Sequence, residues 1–284
     1  MIRKYLELCV ELLEQIKNKS ILRNELKTRA FGHEFIGQGY MIASYSSLNH
    51  DVFYSSLRKE VDFVRGYKNS KNINIIDAGA NIGFYSIVYS MLDNTCVTSF
   101  EPFPGTYKQL KKNVENNNIK NIVPLQLGLY SKKANMKIGK PYAFEFYSYF
   151  NKFFKFTDKE QIGCYSVYTS DKNALVAEFI KGDECKDIQV KDHIDLIKID
   201  VEGSELEVLK GLNTTIRKHH PVLKIEFNQH AFLAAGISSE IILDYLDQLD
   251  YKRFTICSDD NDFTDWRSME EFPNLTGSKD LLFI

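Results

Sequence analysis

The sequence predicts an α/β protein built around a doubly wound, parallel β-sheet. Two observations lead to this prediction. From residue 73 onward, short apolar segments rich in β-branched residues alternate with segments whose apolar residues recur at helical spacing. The alternation is clearest between residues 195 and 227, where an amphipathic helix separates two apolar strands. A repeated strand–helix–strand order favours parallel strands joined by right-handed crossovers.

The individual elements follow from this alternation in chain order. β-Branched runs predict strands, helical stripes predict helices, and Pro221 ends one helix before the next strand. The expected strands cover residues 73–76, 95–101, 122–129, 195–199, 222–227, 251–256 and 280–284. The expected helices cover residues 82–92, 106–118, 204–219 and 238–249.

Residues 1–70 are predicted to form an N-terminal helix and a cap. The opening segment, MIRKYLELCVELLEQIKNK, has one apolar helical face with charges interleaved, so we expect neither a signal peptide nor a membrane span. We expect this face to pack against its own domain, with a membrane surface or a partner subunit, as in a homodimer, as the alternatives. Residues 31–71 look irregular except for a predicted helix over 56–66.

Residues 131–192 are predicted to be an aromatic-rich insertion within a domain that spans residues 71–284. Residues 141–168 contain eleven aromatic side chains without clean periodicity. Aromatic side chains supply rigid contact area with polar tips, which suits a lid or pocket wall that stacks on a ligand. A small hydrophobic subdomain on the sheet edge explains the composition equally well, and both interpretations can hold together.

The composition is that of an ordinary globular protein, and it argues against several classes. The chain has 284 residues, of which 44% are hydrophobic and 26% charged, and its formal net charge is -2. This balance gives no basic surface for nucleic acid. The five cysteines include no C-x-x-C pair, which argues against a zinc knuckle or a disulfide framework. A reducing cytoplasm is the expected location.

The turn after the first of these strands indicates a nucleotide-type site. Asp77 is followed by Gly79, Asn81 and Gly83, and a helix begins directly afterwards. Glycines let a ligand approach the backbone, and a helix N-terminus offers unpaired N–H groups. The G-x-x-x-G spacing differs from the G-x-G-x-x-G of dinucleotide sites, which weighs against an NAD-dependent oxidoreductase. An acid ahead of the first glycine attracts a cation, and S-adenosylmethionine carries an amino group and a sulfonium.

A second acid closes the next strand and points to the same cofactor. Glu101 ends the strand in the segment TCVTSFEP, where a carboxylate can accept both hydroxyls of an adenosine ribose. Either acid alone is more often structural than functional. Because the two acids end successive strands, together they favour a cofactor site.

These motifs resemble those of the FkbM-type class I S-adenosylmethionine-dependent methyltransferases. The matching segments are IIDAGANIGFYS, SFEP, DLIKIDVEGSELEVLKG and PVLKIEFN, in that order, and the match runs from about residue 51 to the C-terminus. The resemblance implies a Rossmann-like, seven-stranded, mostly parallel sheet with an antiparallel last strand. It also implies methyl transfer to a hydroxyl of a sugar, glycan, nucleotide-sugar or small natural product.

Carried over residue by residue, the resemblance also implies which positions hold the cofactor. The methionine part falls on four residues of the glycine loop: Asp77, Gly79, Asn81 and Gly83. The ribose falls on Glu101. After the third strand the family commonly has A-L-S-D, whereas this chain has Gly128-Leu-Tyr-Ser, so an acid near the adenine is missing. We expect backbone groups around Gly128 to contact the adenine instead.

A hydroxyl acceptor needs a group that takes its proton during in-line methyl transfer. The candidates follow two successive strands: Asp200, Glu202, Glu226, Asn228 and His230. One hypothesis makes Asp200 or Glu226 the general base, with His230 as its partner. The other makes Asp200, Glu226 and Asn228 ligands of a Mg²⁺ that lowers the pKa of the hydroxyl. Nothing in the spacing demands a metal, so the metal-free hypothesis is favoured. Glu202 is equally suited to cap the following helix.

The alternative function is a catalytically silent scaffold subunit that binds S-adenosylmethionine. Such a subunit is expected to lose the acids at the strand ends, and this chain keeps them. The expected partner is therefore a small-molecule or carbohydrate acceptor.

Overall fold

A computed structural model of the chain describes residues 25–30, 33–38, 50–139, 165–258, 262–273, 275 and 277–284. The helix expected at the N-terminus lies outside these residues, as does most of the aromatic-rich segment. The predicted division of the chain at residue 70 stays a prediction.

The described residues form thirteen strands and eight α-helices. The strands are β1 (Glu25–Ala30), β2 (His33–Gln38), β3 (Ile73–Ala78), β4 (Thr95–Phe100), β5 (Ile122–Leu125), β6 (Gly128–Tyr130), β7 (Ala134–Ile138), β8 (Leu175–Lys181), β9 (Leu196–Ile199), β10 (Val222–Asn228), β11 (Arg253–Ile256), β12 (Arg267–Ser268) and β13 (Ser278–Phe283). The helices are α1 (His50–Lys68), α2 (Phe84–Ser90), α3 (Pro104–Asn116), α4 (Lys186–Gln189), α5 (Glu205–Gly211), α6 (Asn213–His219), α7 (Gln229–Ala234) and α8 (Ser239–Gln248).

The large sheet has the strand order β12-β11-β13-β10-β9-β3-β4-β5. The neighbours β5, β4, β3, β9 and β10 pair in parallel, and β13 lies antiparallel to both β10 and β11. The prediction of a doubly wound sheet with an antiparallel last strand is confirmed. The two-residue strand β12 adds an eighth strand at one edge.

Apolar layers cover both faces of this sheet. One layer joins Ile75 of β3 and Leu196 of β9 to helices α1, α2 and α3. The other joins Ile76 of β3 and Ile197 of β9 to helices α5, α6 and α8. Because successive residues of a strand point to opposite faces, the buried runs of β3 and β9 serve both layers at once.

The region expected to be irregular before the sheet contains a hairpin. Strands β1 and β2 pair antiparallel, and the side chain of Asn117 at the end of α3 fastens the hairpin by accepting from the Glu34 N–H at 2.8 Å and donating to the Glu34 carbonyl at 2.7 Å. The hairpin was missed because its polar sequence shows no alternation of apolar residues. The helix expected over 56–66 is present as the longer α1.

The single strand predicted over residues 122–129 is wrong, because the chain forms two strands there. Pro124 has no N–H to donate, and β5 accordingly forms an edge of the large sheet. The chain then turns into β6, which pairs with β8 in a separate three-stranded sheet of order β6-β8-β7.

Two strands of this sheet, β7 and β8, lie within residues 131–192, which were expected to form an aromatic-rich insertion. Beyond β7, Gly139 and Ser166 form an antiparallel bridge, with reciprocal N–H to carbonyl bonds of 3.1 and 2.8 Å. Gly139 and Ser166, which flank residues 140–165, therefore lie side by side.

Gly211 lets helix α5 lie directly against β6, because a Cβ there would come 2.0 Å from the Tyr130 carbonyl oxygen. We expect Gly211→Ala to lower the free energy of unfolding by about 1–3 kcal/mol, since backbone cannot yield to an added methyl group. Chemical denaturation measures the change. The matched control is Gly66→Ala in α1, where no atom lies within 4 Å of the added Cβ. This control should be neutral or stabilising by up to about 1 kcal/mol. Equal effects of the two substitutions would contradict the close approach.

Candidate functional site

The loop between β3 and α2 folds tightly against two neighbouring strand ends. Gly79 has φ of 81°, and a Cβ there would lie 1.8 Å from the Asp200 carbonyl oxygen. The N–H groups of Gly79 and Ala80 both donate to the Phe100 carbonyl, at 3.0 and 2.9 Å. Only glycine satisfies both the left-handed conformation and this contact.

The carboxylate of Glu101 is held by backbone donors from the same loop region. The Asn81 N–H donates to Oε2 at 2.9 Å, and the Phe103 N–H donates to Oε1 at 2.8 Å. The side chain is only 6% exposed. Burial raises the pKa of Glu101 to about 7, although these hydrogen bonds oppose the shift.

A cavity of about 300 Å³ opens above the carboxyl ends of β3, β4, β9 and β10. Four of the predicted cofactor residues line it: Gly79, Asn81, Glu101 and Gly128. Two of the predicted catalytic residues, Asp200 and Glu226, line it as well. The structure therefore brings the two predicted halves of the site together in one space.

Asp77 and Gly83 lie beside this cavity rather than on its lining. The Asp77 side chain is fully buried, its Oδ2 accepts from the Ser86 hydroxyl at 2.5 Å, and its Oδ1 lies 3.6 Å from Lys198 Nζ. Gly83 has φ of 89°, and a Cβ there would meet Leu110 of α3 at 2.4 Å. Direct contact of either residue with a cofactor stays a prediction, and the contacts seen are internal to the fold.

Two buried lysines form a charged row across the sheet behind the cavity. Asp77, Lys198 and Lys224 are register partners on β3, β9 and β10. Lys198 Nζ lies 3.0 Å from Asp200 Oδ2, whereas Lys224 Nζ lies 2.9 Å from Glu60 Oε2. Burial disfavours both ammonium charges, but the neighbouring carboxylates outweigh it and raise the pKa of both lysines.

Tyr85 of α2 joins the two lysines to the cavity. Its ring lies 4.6 Å from Lys198 Nζ and 5.0 Å from Lys224 Nζ, within range for cation–π attraction. The same ring lines the cavity. The helix that follows the glycine loop is thus positioned by the charged row.

Three carboxylates converge on one side of the cavity: Asp200, Glu202 and Glu226. One oxygen from each lies within 4.8 Å of the other two. Burial and the negative charges of Asp200 and Glu202 raise the pKa of Glu226 to about 10. The cluster therefore disfavours a third negative charge.

Asn228 and His230 are not part of this carboxylate cluster. The Asn228 side chain caps α7 by accepting from the N–H groups of His230 and Ala231, at 3.2 and 3.3 Å. His230 is exposed and does not belong to the cavity lining as described. A metal-ligand role for Asn228 stays a prediction, and the structure places Glu202 beside Asp200 and Glu226.

The opposite wall of the cavity is apolar and comes from the three-stranded sheet. Ile138 and Phe179 line it, and a Cβ on Gly128 would lie 2.1 Å from the Phe179 ring. Tyr165 also lines it and stacks on Phe103, with ring centroids 3.6 Å apart and an interplanar angle of 11°. This wall suits a flat or apolar group bound next to the polar one.

Sequence reasoning missed Lys198, Lys224, Tyr85 and Ser204 as site residues. A signal for the lysines was present, because the tripeptides Lys198-Ile-Asp200 and Lys224-Ile-Glu226 repeat one pattern on successive strands. A lysine inside an apolar strand is costly unless it is paired, so such a repeat indicates buried partners.

The strand order and the cavity at the strand ends define a class I, Rossmann-like methyltransferase fold. The family model described as the methyltransferase FkbM domain matches residues 77–253. The chain belongs to the FkbM methyltransferase domain family.

Individual relatives are more distant. Methyltransferase 1 of Beauveria bassiana is 27% identical over 154 residues, which cover 49% of this chain and 58% of that protein. Hexuronic acid methyltransferase AglP of Haloferax volcanii is 28% identical over 141 residues, which cover 50% of each chain. The chain thus spans about half the length of the curated relatives it matches. A crystal structure of methyltransferase FkbM from Methylobacillus flagellatus is 16% identical, with a TM-score of 0.44, and the match covers 75% of this chain and 44% of that one.

None of the described helices has the length and apolar character needed to cross a membrane.

Removing Lys224 should leave the buried Glu60 without its cation. We expect Lys224→Met to lower the free energy of unfolding by about 3–5 kcal/mol, because an uncompensated charge stays in the core. Adding Glu60→Gln should recover part of this loss, since a Gln Oε1 can still accept from the Tyr89 hydroxyl that now donates to Glu60 at 2.7 Å. Denaturation of the two single variants and the double variant gives the coupling. Additive losses would contradict the pairing.

Proposed function

We propose that this chain is an S-adenosylmethionine-dependent O-methyltransferase that acts on a hydroxyl of a sugar, glycan, nucleotide-sugar or small natural product. The observation that carries the proposal is the single cavity that holds Glu101 at one end and the Asp200–Glu226 pair at the other. A cofactor bound along the strand ends would have its ribose at Glu101 and its methyl group near Asp200 and Glu226.

The cofactor side of the cavity fits an adenosine and an amino acid. Glu101 accepts one backbone N–H on each oxygen and also hydrogen-bonds with the Thr106 side chain, and an ionised carboxylate still has a lone pair for a ribose hydroxyl. The glycine at position 79 opens the loop for a ligand, and the apolar wall beside Gly128 suits the adenine ring.

The reaction is an in-line displacement. The acceptor oxygen attacks the methyl carbon, a C–O bond forms, and the C–S bond breaks to leave the neutral thioether of S-adenosylhomocysteine. The hydroxyl proton passes to the carboxylate cluster, where Asp200 and Glu226 face the cavity. Because the pKa of Glu226 is raised to about 10, Asp200 is the carboxylate of this pair that accepts the proton. The chain's main task is to position the two partners and exclude water.

The acceptor class is supported by the relatives rather than by a contact. One relative is named as a hexuronic acid methyltransferase, which supports a carbohydrate acceptor. The aromatic stack of Phe103 on Tyr165 beside the cavity offers a flat surface for a sugar ring or a base.

The test is transfer of a labelled methyl group from S-adenosylmethionine to a panel of neutral sugars, hexuronic acids and nucleotide-sugars, read by mass spectrometry. Methylation of a panel member supports the proposal. Binding of S-adenosylhomocysteine without transfer to any acceptor would favour the scaffold subunit, and absence of cofactor binding would contradict both.

The binding of S-adenosylhomocysteine should weaken as the pH falls below about 7, because the ribose hydroxyls need Glu101 ionised and its pKa is about 7. Each pH unit below this value should raise Kd about tenfold. The raised pKa also means that folding stability falls as the pH rises from the ordinary carboxyl range to about 7. Titration calorimetry at several pH values measures Kd. Glu101→Gln should flatten the profile, and the exposed control Glu178→Gln should keep it.

Asp200→Asn should spare the binding of S-adenosylhomocysteine and remove most methyl transfer. The substitution keeps the backbone carbonyl that contacts the Gly79 region but deletes the negative charge that faces the acceptor. Loss of a proton acceptor typically costs about 10²–10⁴-fold in rate. The kinetics of transfer and the Kd are measured on the same preparation, and unchanged turnover would exclude Asp200 from the chemistry.

A further inference from the structure

The carboxylate cluster has the form of a ligand set as well as that of a proton acceptor. Asp200 follows the last residue of β9, Glu226 lies on β10, and Glu202 joins them from the turn before α5. Glu202 has φ of 52° and Gly203 has φ of 102°, so this turn folds back over the strand end. One oxygen from each carboxylate lies within 4.8 Å of the other two.

Glu226 has more acceptor capacity than its surroundings use. Its Oε1 accepts from the Ser278 hydroxyl at 2.6 Å. Its Oε2 is buried and has no hydrogen-bond partner among the described residues. A buried carboxyl oxygen without a hydrogen-bond partner is costly, because its desolvation is not offset.

Ser204 is a second and independent sign of a ligand. Its side chain is 4% exposed, the residue lines the same cavity, and its Oγ has no hydrogen-bond partner in the part of the chain that the structure describes. It precedes α5 without capping it. Buried hydroxyl groups normally have a hydrogen-bond partner, so an unpartnered hydroxyl at a cavity wall indicates that a ligand supplies one.

The two buried lysines near the cluster are already paired with carboxylates other than Glu226. Lys198 lies between Asp77 and Asp200, and Lys224 lies between Glu60 and Asp280. Each lysine therefore faces two carboxylates, and neither leaves positive charge over for Glu226. A cation from outside the chain would allow Glu226 to ionise beside Asp200 and Glu202.

The chemistry of the donors selects the cation. The cluster and Ser204 supply only oxygen atoms, and the described cavity lining contains neither cysteine nor histidine. Oxygen donors suit hard ions rather than zinc. Two oxygens on one ion lie no farther apart than twice the metal–oxygen distance, which is about 4.2 Å for Mg²⁺ and about 5 Å for Ca²⁺. The 4.8 Å bound on the oxygen separations of the cluster lies within the limit for Ca²⁺ and is longer than the limit for Mg²⁺.

We propose that Asp200, Glu202 and Glu226, with the Ser204 hydroxyl beside them, bind a hard divalent cation at the acceptor end of the cavity. This inference rests on the proposed function, which it deepens by naming what would activate the acceptor. A divalent cation in this position supplies a Lewis acid that lowers the pKa of an acceptor hydroxyl. It also makes the acidic wall compatible with an acceptor that carries its own carboxylate.

The test uses the full chain after treatment with a chelator, in complex with S-adenosylhomocysteine. Mn²⁺ is titrated with detection by electron paramagnetic resonance, and Mg²⁺ and Ca²⁺ are titrated as competitors. We expect one saturable Mn²⁺ site. Because loss of a group that only supports a ligand typically weakens metal binding 10–100-fold, Glu226→Gln and Glu202→Gln should each weaken it at least about tenfold. Glu178→Gln on β8 is the same chemical change at an exposed position and should leave Kd unchanged.

Two results would overturn the site: absence of saturable Mn²⁺ binding, or binding that neither Glu226→Gln nor Glu202→Gln weakens. Each variant is first checked by titration with S-adenosylhomocysteine in the chelator, so a misfolded variant is recognised and the other is used. This same titration of the wild-type chain separates the two proposals. Cofactor binding without Mn²⁺ binding defeats the cation site alone, whereas failure of cofactor binding defeats the proposed function.

Discussion

The pairing of Lys198 with Asp77 and Asp200 is the interaction on which the site depends. A lysine in the middle of a parallel sheet is expensive to desolvate, and it is tolerated only because carboxylates lie 3.0 and 3.6 Å away. The same lysine allows two acids to end neighbouring strands without repelling each other apart. Lys224 repeats the arrangement one strand further along, with Glu60 and Asp280. Along one face, the sheet thus changes from apolar residues to a row of buried lysines paired with carboxylates.

This row also fixes the helix that carries the cofactor loop. Tyr85 packs its ring against both ammonium groups, and Ser86 donates to Asp77 at 2.5 Å, so successive residues of α2 contact the row. The loop before α2 is held from the other side by the Phe100 carbonyl and by Glu101. The cofactor end and the acidic end of the cavity are therefore parts of one rigid network rather than separate features.

Much of the fold could be predicted because its strands are buried on both faces and read as continuous apolar runs. Strands of this kind are β3, β9 and β10, and their crossover helices have clear apolar stripes. The hairpin of β1 and β2 and the three-stranded sheet could not be predicted, since their strands are short, partly polar and set by long-range pairing.

The contacts at the site that could not be predicted from sequence have a similar cause. Glu101 and Gly79 could be placed from sequence because their roles depend on the position at a strand end. The contacts of Asp77 could not be predicted from sequence, because a carboxylate at a strand end can contact either a ligand or a neighbouring strand. The register shows that Asp77 lies beside Lys198, and its contact with a ligand stays a prediction. The position of Asn228 at the end of β10 suggests a ligand, and only the structure shows that its side chain caps α7.

The bridge between Gly139 and Ser166 joins the two flanks of residues 140–165 next to the cavity-lining residues Ile138 and Tyr165. The number of residues between these flanks can therefore vary while the bridge stays in place. Doubling a loop whose ends are already joined costs only about 0.6 kcal/mol of closure entropy. A change in the number or kind of residues between the flanks is therefore compatible with an unchanged charged row and an unchanged cofactor loop.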